Sequence, residues 1–226
     1  MILLAIDTAA NLCSVCLYDT EAEGVQAEIV NDIGTGHAER LVSDIEDLLA
    51  QAGLDYAALD RIAVSVGPGS FTGVRVGVAT ARGLSLALKI PAIGITTIDA
   101  LATEARQAFP ERPVLVAIDA RRDELYTAFF AADGTRTSHA SVSNLESAGA
   151  RASQGNPVLT GSGAKPVAQS VGREFDTASH AATAPIAVFA RLAAQRPIDG
   201  QKPKPAYLRA PDAKAQAGFI LPRSGA

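Results

Sequence analysis

Histidine and cysteine are scarce in this chain, and positive charge is not in excess. His37, His139 and His180 lie in unlike contexts, and no two have the i, i+4 spacing of helical ligands. A protein-only catalytic metal site usually needs two or three such ligands, so none is expected. Twenty Lys and Arg stand against 24 Asp and Glu, a net charge of -4, which excludes a broadly basic nucleic-acid surface. Any RNA is expected to be held through another chain. No apolar run approaches the roughly 20 residues that a membrane-spanning helix needs. Met1 leads straight into Ile2-Leu3-Leu4-Ala5-Ile6 with no basic region or cleavage site, so a cytoplasmic protein is expected. Cys13 and Cys16 have C-x-x-C spacing, but they sit in the alternating, strand-like run Leu12–Tyr18, where residues i and i+3 face opposite sides. Buried free thiols are the better reading than a redox or zinc pair.

What is plentiful is apolar: 48% of the 226 residues are hydrophobic and 19% charged, which suits a folded chain of one large domain or two lobes of about 100 residues each. The first half reads as strands Ile2–Ile6, Cys13–Tyr18 and Val25–Val30. A helix follows, with Leu41, Val42, Ile45, Leu48, Leu49 and Ala52 at helical spacing and Gly53 as its stop. Then come strand Ile62–Val66, a glycine-rich turn, a helix from about Thr72 to Leu88, strand Ala92–Ile95, and a helix capped by Thr97 and running to about Ala108.

The second half starts again at Val114-Leu115-Val116-Ala117-Ile118-Asp119. Like Leu3-Leu4-Ala5-Ile6-Asp7, it is an apolar run ending in Ile-Asp, with a polar turn and an apolar strand at matching separations. Two copies of one β-rich αβ unit are inferred, over residues 1–108 and 109–226. The stretch from Asp133-Gly134 to Asn156 reads as a loop with a short helix. Pro157–Thr160 reads as a strand leading into the turn Gly161-Ser162-Gly163, and Pro185–Gln195 as a helix. From Arg196 the prolines at 197, 203, 205 and 211 predict an extended surface tail, anchored at Tyr207-Leu208.

The glycine turn, Ser65-Val66-Gly67-Pro68-Gly69-Ser70-Phe71-Thr72-Gly73-Val74-Arg75, joins an apolar strand to a long helix rich in small residues. Such a turn can cradle a phosphate on the unpaired amides of the helix N-terminus, or let two backbones approach closely. It is not a Walker loop, because Val74-Arg75 follow Gly73 where Lys and Ser or Thr are required. Nor is it the dinucleotide fingerprint, because G-x-G-x-x-x-G is one residue too long. The ridge Gly73, Gly77 and Ala81 favours close packing. Asp7 and Asp119, each just past an apolar strand, could hold Mg-nucleotide, which would make the chain an actin-like ATPase or a small-molecule kinase, or could cap the adjacent turn. Ser65 and Ser70 have no evident base, and no G-x-S-x-G elbow occurs, so serine hydrolysis and a peptidase activity lack a nucleophile or metal.

The run from Ser65 to Arg75 with Val76-Gly77, then Ala79-Thr80-Ala81-Arg82-Gly83-Leu84 and Ile90–Ala102, closely resembles the signature of the TsaB (YeaZ) family. Supporting matches are Ile6-Asp7-Thr8-Ala9, His37–Leu41, Ile118–Arg121 with Glu124-Leu125-Tyr126, and Pro205–Arg209, with least resemblance between about 135 and 195. The resemblance implies an α/β actin/Hsp70-like (ASKHA) fold of two related lobes, each a mixed sheet flanked by helices. It also implies a role in making threonylcarbamoyladenosine beside the anticodon of tRNA, as the non-catalytic partner of a TsaD-like transferase, with a TsaE-like ATPase completing the complex. ATP or ADP and a metal are then expected on the partner subunits and none on this chain alone. In TsaD-like chains an Asn-His-x-x-x-His segment holds the metal. Here Thr97 and Leu101 stand at the two ligand positions, and Leu cannot ligate a metal.

The resemblance further implies pairing through the first lobe, by the helices His37–Ala52 and Thr72–Leu88, and a homodimer through the same patch when the partner is absent. His37, Leu41, Ile45, Val76 and Thr80 are the expected contact residues. The signature loop is Gly67, Pro68, Gly69, Ser70, Phe71, Thr72, Gly73 and Arg75, and Gly161-Ser162-Gly163 is the one later turn with the character to touch an adenosine.

Overall fold

A computed structural model describes residues 1–209 of the chain. The elements run β1 (Ile2–Asp7), β2 (Leu12–Asp19), β3 (Gly24–Asp32), α1 (His37–Gln51), a single 3-10 turn at Tyr56–Ala58, β4 (Leu59–Ser65), α2 (Phe71–Leu88), β5 (Ala92–Ile95) and α3 (Thr97–Ala108). The same sequence of elements then repeats as β6 (Val114–Asp119), β7 (Glu124–Phe130), β8 (Ser141–Asn144), α4 (Leu145–Ser153), β9 (Val158–Thr160), α5 (Ala164–Val171), β10 (Thr177–Ser179) and α6 (Ile186–Gln195). The inferred duplication is therefore complete in element order.

It is complete in topology as well. One five-stranded sheet has the order β3-β2-β1-β4-β5 and the other, read from its opposite edge, β8-β7-β6-β9-β10. Three strands of each, β1-β2-β3 and β6-β7-β8, are antiparallel, while β4 with β5 and β9 with β10 run parallel to the first strand.

The alternation of side chains along β1 explains how the sheets stack. Leu4 and Ile6 join Cys13, Val15 and Leu17 in a core beneath α1 and α2. Leu3 and Ala5 point the other way, with Cys16, into a central core shared with Val114, Val116 and Ile118 of β6. Leu115 and Ala117 of β6 face a third core under α4 and α5. The layers are thus α1 and α2, first sheet, α3 and α6, second sheet, α4 and α5. Because both faces of each sheet are covered, β1 and β6 read as nearly unbroken apolar runs.

The central layer is exchanged between the copies. α3, which ends the first copy, packs on β6, β7, β9 and β10, and α6, which ends the second, packs on β1, β2, β4 and β5. A helix in this central layer must bury a broad apolar face of small or compact side chains. α6 meets this with Ile186, Val188, Phe189, Ala190 and Ala193, and α3 with Ile98, Ala100, Leu101, Ala102 and Ala105, all buried.

The two cysteines behave as the strand reading requires: both are free and buried, and they lie in different cores. Three elements of the second half differ from expectation. β8 emerges from the stretch read as a loop, and α5 and β10 were not anticipated, because these segments are only four, eight and three residues long and too short to carry a period. The cap of α3 is Thr96, whose hydroxyl accepts from the Asp99 amide at 3.0 Å. Thr97, the expected cap, is instead the first helical residue, so the cap lies one place earlier than expected. After α6 the chain continues without helix or strand through Arg209, and Pro211 lies outside the described residues.

Candidate functional site

The glycine turn lies between β4 and α2, at the end of the first sheet where β1 also ends. Its geometry is governed by the turn Asp7-Thr8-Ala9 that follows β1. The Ser70 amide donates to the Ala9 carbonyl at 2.6 Å, and the Thr8 hydroxyl to the Gly73 carbonyl at 2.7 Å. A Cβ at Gly69 would run into the Ala9 carbonyl oxygen, and one at Gly73 into that of Thr8. These glycines are there for backbone contact inside the lobe. Ser70 caps α2, its hydroxyl accepting from the Gly73 amide at 3.2 Å and its carbonyl from the Val74 amide at 2.9 Å. At this helix N-terminus the Ser70, Gly73 and Val74 amides are thereby engaged within the lobe. The Gly67–Pro68 peptide bond is cis.

The second lobe also places a glycine turn, Gly161-Ser162-Gly163, against its first strand. There the glycine turn is tied to the strand and not to the turn after it: the Gly163 amide donates at 2.9 Å to the carbonyl of Ala117, two residues before Asp119, whereas Ala9 lies two residues after Asp7, and the Ser162 hydroxyl accepts from the Asp119 amide at 2.9 Å. Asp7 and Asp119 also match: each Oδ1 accepts from the amide two residues on, Ala9 at 2.9 Å and Arg121 at 2.7 Å, which caps the turn. Their surroundings differ. Asp119 is exposed, whereas Asp7 is fully buried and its Oδ2 accepts from the Thr183 hydroxyl at 2.6 Å, a bond reaching from the segment before α6. Burial raises the Asp7 carboxyl above the usual carboxylate range, against the lowering effect of those hydrogen bonds.

Thr97 and Leu101 are both inaccessible. Thr97 lies 3.3 Å from the Ser65 hydroxyl, and Leu101 is part of the central core. Among the described residues no group of three or more His, Cys, Asp or Glu is placed to hold a metal ion, and no helix is long and apolar enough to cross a membrane.

The helix pair α1 and α2 packs side by side over the first sheet. Here the expected contact residues need correction. His37, Leu41 and Ile45 are buried in the lobe itself, with His37 Nε2 donating to the Leu12 carbonyl at 3.2 Å. The most apolar stripe of an amphipathic helix covers its own sheet, so these residues are not surface. Val76 and Thr80 are half-buried. The outward faces carry Val42, 48% exposed, and Leu86, 78% exposed, with Ala79, Gly83 and Ala87 also exposed on α2.

The segment after α6 passes over the mouth of the glycine turn and ties the two lobes. Pro203 is buried near Gly94, and the Ala206 amide donates to the Val66 carbonyl at 2.8 Å. Arg75 Nε donates to the Tyr207 hydroxyl at 2.9 Å, while Arg209 donates to the Ala120 carbonyl at 3.2 Å and pairs with Glu124. The expected anchor is thus spread from Pro203 to Arg209. Between this segment and the glycine turn runs a groove of about 860 Å³, lined by Gly67, Gly69, Phe71, Arg75, Tyr126 and Arg209 among others.

Residues 20–169 match the family model described as TsaD, tRNA N6-adenosine threonylcarbamoyltransferase. The tRNA threonylcarbamoyladenosine biosynthesis protein TsaB of Escherichia coli is 37% identical over 133 residues, covering 59% of this chain and 56% of that protein. Its namesake in Haemophilus influenzae is 39% identical over 124 residues, covering 55% and 51%. The chain therefore spans about half the length of these curated relatives. In solved structures the match is longer. A Pseudomonas aeruginosa protein described as similar to the peptidase YEAZ has a TM-score of 0.75 at 29% identity, covering 92% of this chain and 99% of that one. YeaZ from the same species has a TM-score of 0.70 at 28% identity, covering 85% and 91%. The ethanolamine utilization protein EutJ of Carboxydothermus hydrogenoformans, 11% identical with a TM-score of 0.50 over 84% of this chain and 90% of that one, shares the fold alone. Two mixed sheets flanked by helices, in two related lobes, form the actin/Hsp70-like (ASKHA) architecture. By the family model the chain belongs to the family that the TsaD model describes, and the curated relatives and solved structures it resembles carry the names TsaB and YeaZ.

Proposed function

We propose that this chain is a supporting subunit of the assembly that transfers threonylcarbamoyl to the adenosine beside the anticodon of tRNA, and that a TsaD-like partner performs the transfer. The observation that carries the reading is the state of Thr97 and Leu101. At the two positions where TsaD-like chains keep metal-binding histidines, this chain has one hydroxyl bonded to Ser65 and one core leucine, both wholly buried. Neither can present a ligand to a metal or a substrate.

The partner-binding surface of this reading is the outward face of α1 and α2. Val42 and Leu86 are exposed apolar side chains on it, and the small residues Ala79 and Gly83 of α2 permit close helix packing. One such face can serve a TsaD-like subunit or, across a two-fold axis, a second copy of the chain. A TsaE-like ATPase completes the assembly. ATP or ADP and the metal belong to the partner subunits, and tRNA is held through the complex. Reconstitution of tRNA threonylcarbamoylation with and without this chain is the test. Dependence on the chain is expected, and modification that proceeds equally well without it would overturn the proposal.

A further inference from the structure

Aromatic residues are few in this chain, seven Phe and four Tyr with no Trp. Among the described residues only two of them are exposed, Phe71 at 59% and Tyr207 at 58%, and these two are neighbours with ring centroids 6.1 Å apart. They come from opposite ends of the sequence. Phe71 opens α2, and Tyr207 is delivered by the strap that the Ala206 amide pins to Val66. Arg75, one helical turn after Phe71, lays its guanidinium 3.6 Å over the Phe71 ring and gives its Nε to the Tyr207 hydroxyl. Among the described residues no carboxylate pairs with Arg75, whereas Arg209 on the same groove is already paired with Glu124.

Two exposed rings beside a guanidinium with no acidic partner among the described residues carry the chemistry of nucleotide recognition: π faces for a base and a planar donor fork for a phosphate. The groove they border, about 860 Å³, also presents Tyr126 and has room for one nucleotide. We propose that Phe71, Arg75 and Tyr207 form a stacking platform for one unstacked nucleotide of an RNA single strand, with the base on the rings and its phosphate on Arg75. This rests on the reading of the chain as part of a tRNA-modifying assembly and adds a direct RNA contact to it. A net charge of -4 is compatible with such a contact, because stacking rather than a field of lysines supplies the affinity. The platform lies at the N-terminal end of α2, where Ala79, one turn beyond Arg75, is the nearest residue of the apolar partner face on that helix. Leu86 lies 15 residues beyond Phe71 along α2, about 22 Å of helix rise away.

The test is binding of an unmodified tRNA transcript to the full chain assembled with its TsaD-like partner, followed over a salt series. Phe71→Ala and Tyr207→Ala should each weaken RNA binding about tenfold. Phe71→Tyr and Tyr207→Phe, which keep the rings, should bind like the parent. Arg75→Gln should flatten the slope of log affinity against log salt by about 0.7, one single-strand phosphate contact. Ultraviolet crosslinking should place RNA on the peptides bearing Phe71 or Tyr207. Unchanged RNA affinity in both alanine variants overturns the platform, as does an equal loss of affinity for the partner subunit, which would make the cluster a protein interface. A parent assembly that retains no tRNA overturns the proposed function and the platform with it.

Discussion

Thr8 and Gly73, 65 residues apart in sequence, are joined twice over. The Thr8 hydroxyl donates to the Gly73 carbonyl at 2.7 Å, and the Thr8 carbonyl occupies the place a Gly73 side chain would need. Gly73→Ala should therefore destabilise the chain by about 3 kcal/mol, the upper end for overpacking, because the obstacle is backbone and cannot swing aside. Gly83, in the same helix, has open space around it, and Gly83→Ala should stabilise by about 0.5–1 kcal/mol. Urea unfolding of the two variants gives opposite signs. Equal effects would show that glycine acts only through helix propensity.

Asp7 gives a pH prediction. Burial raises its carboxyl pKa in the fold, so the folded chain holds this proton more tightly than the unfolded chain does. Its contribution to stability is complete below the ordinary carboxylate value and is lost as pH rises through the raised one. Asp7→Asn removes the buried charge while its amide can still accept from Ala9 and meet the Thr183 hydroxyl. The variant's Tm should gain on the parent from pH 4 upward. A difference that does not vary with pH would refute the assignment.

The outward face of α1 and α2 makes a prediction on assembly. Leu86→Glu and Val42→Glu place charge on exposed positions, so each should change folding stability by no more than about 0.5 kcal/mol. Light scattering should nevertheless show that the homodimer proposed for the isolated chain is dissociated in each variant. Dimers that persist in both variants would remove this face from consideration.

For the cysteines the expected outcome is silence. Burial, with the Asp44 carboxylate adding to it, pushes the Cys13 thiol up to about 12, and burial pushes Cys16 to about 12 as well, helped by Glu28. The reactive thiolate is then almost absent near neutrality. An aromatic disulfide reagent at pH 8 should label neither residue in the native chain and both after denaturation. Rapid native labelling of Cys13 would mean that the α1 face of the first sheet opens readily.

Much of the first lobe was legible because its segments are long enough to show a period. The helical spacing of Leu41, Ile45, Leu48 and Leu49 and the alternation of Leu12–Tyr18 each fix an element and its buried face. The same spacing misleads when it is read as a contact surface, since Leu41 and Ile45 belong to the core that a periodic stripe exists to fill. The small second-lobe strands β9 and β10, three residues each, are held in register by neighbours rather than by their own pattern.

By itself the sequence determined the repeated αβ unit, the glycine turn, the opposite-facing cysteines and the absence of histidine from the Thr97 and Leu101 positions, because each depends on local spacing or on residue identity. Only the tertiary structure decided that α3 and α6 change places between the lobes, that the glycines press on Thr8 and Ala9, and that Phe71, Arg75 and Tyr207 meet. Those are contacts between segments far apart in sequence, 136 residues for Phe71 and Tyr207 and more for α6 on β1, and no period or propensity encodes which surfaces a folded chain brings together.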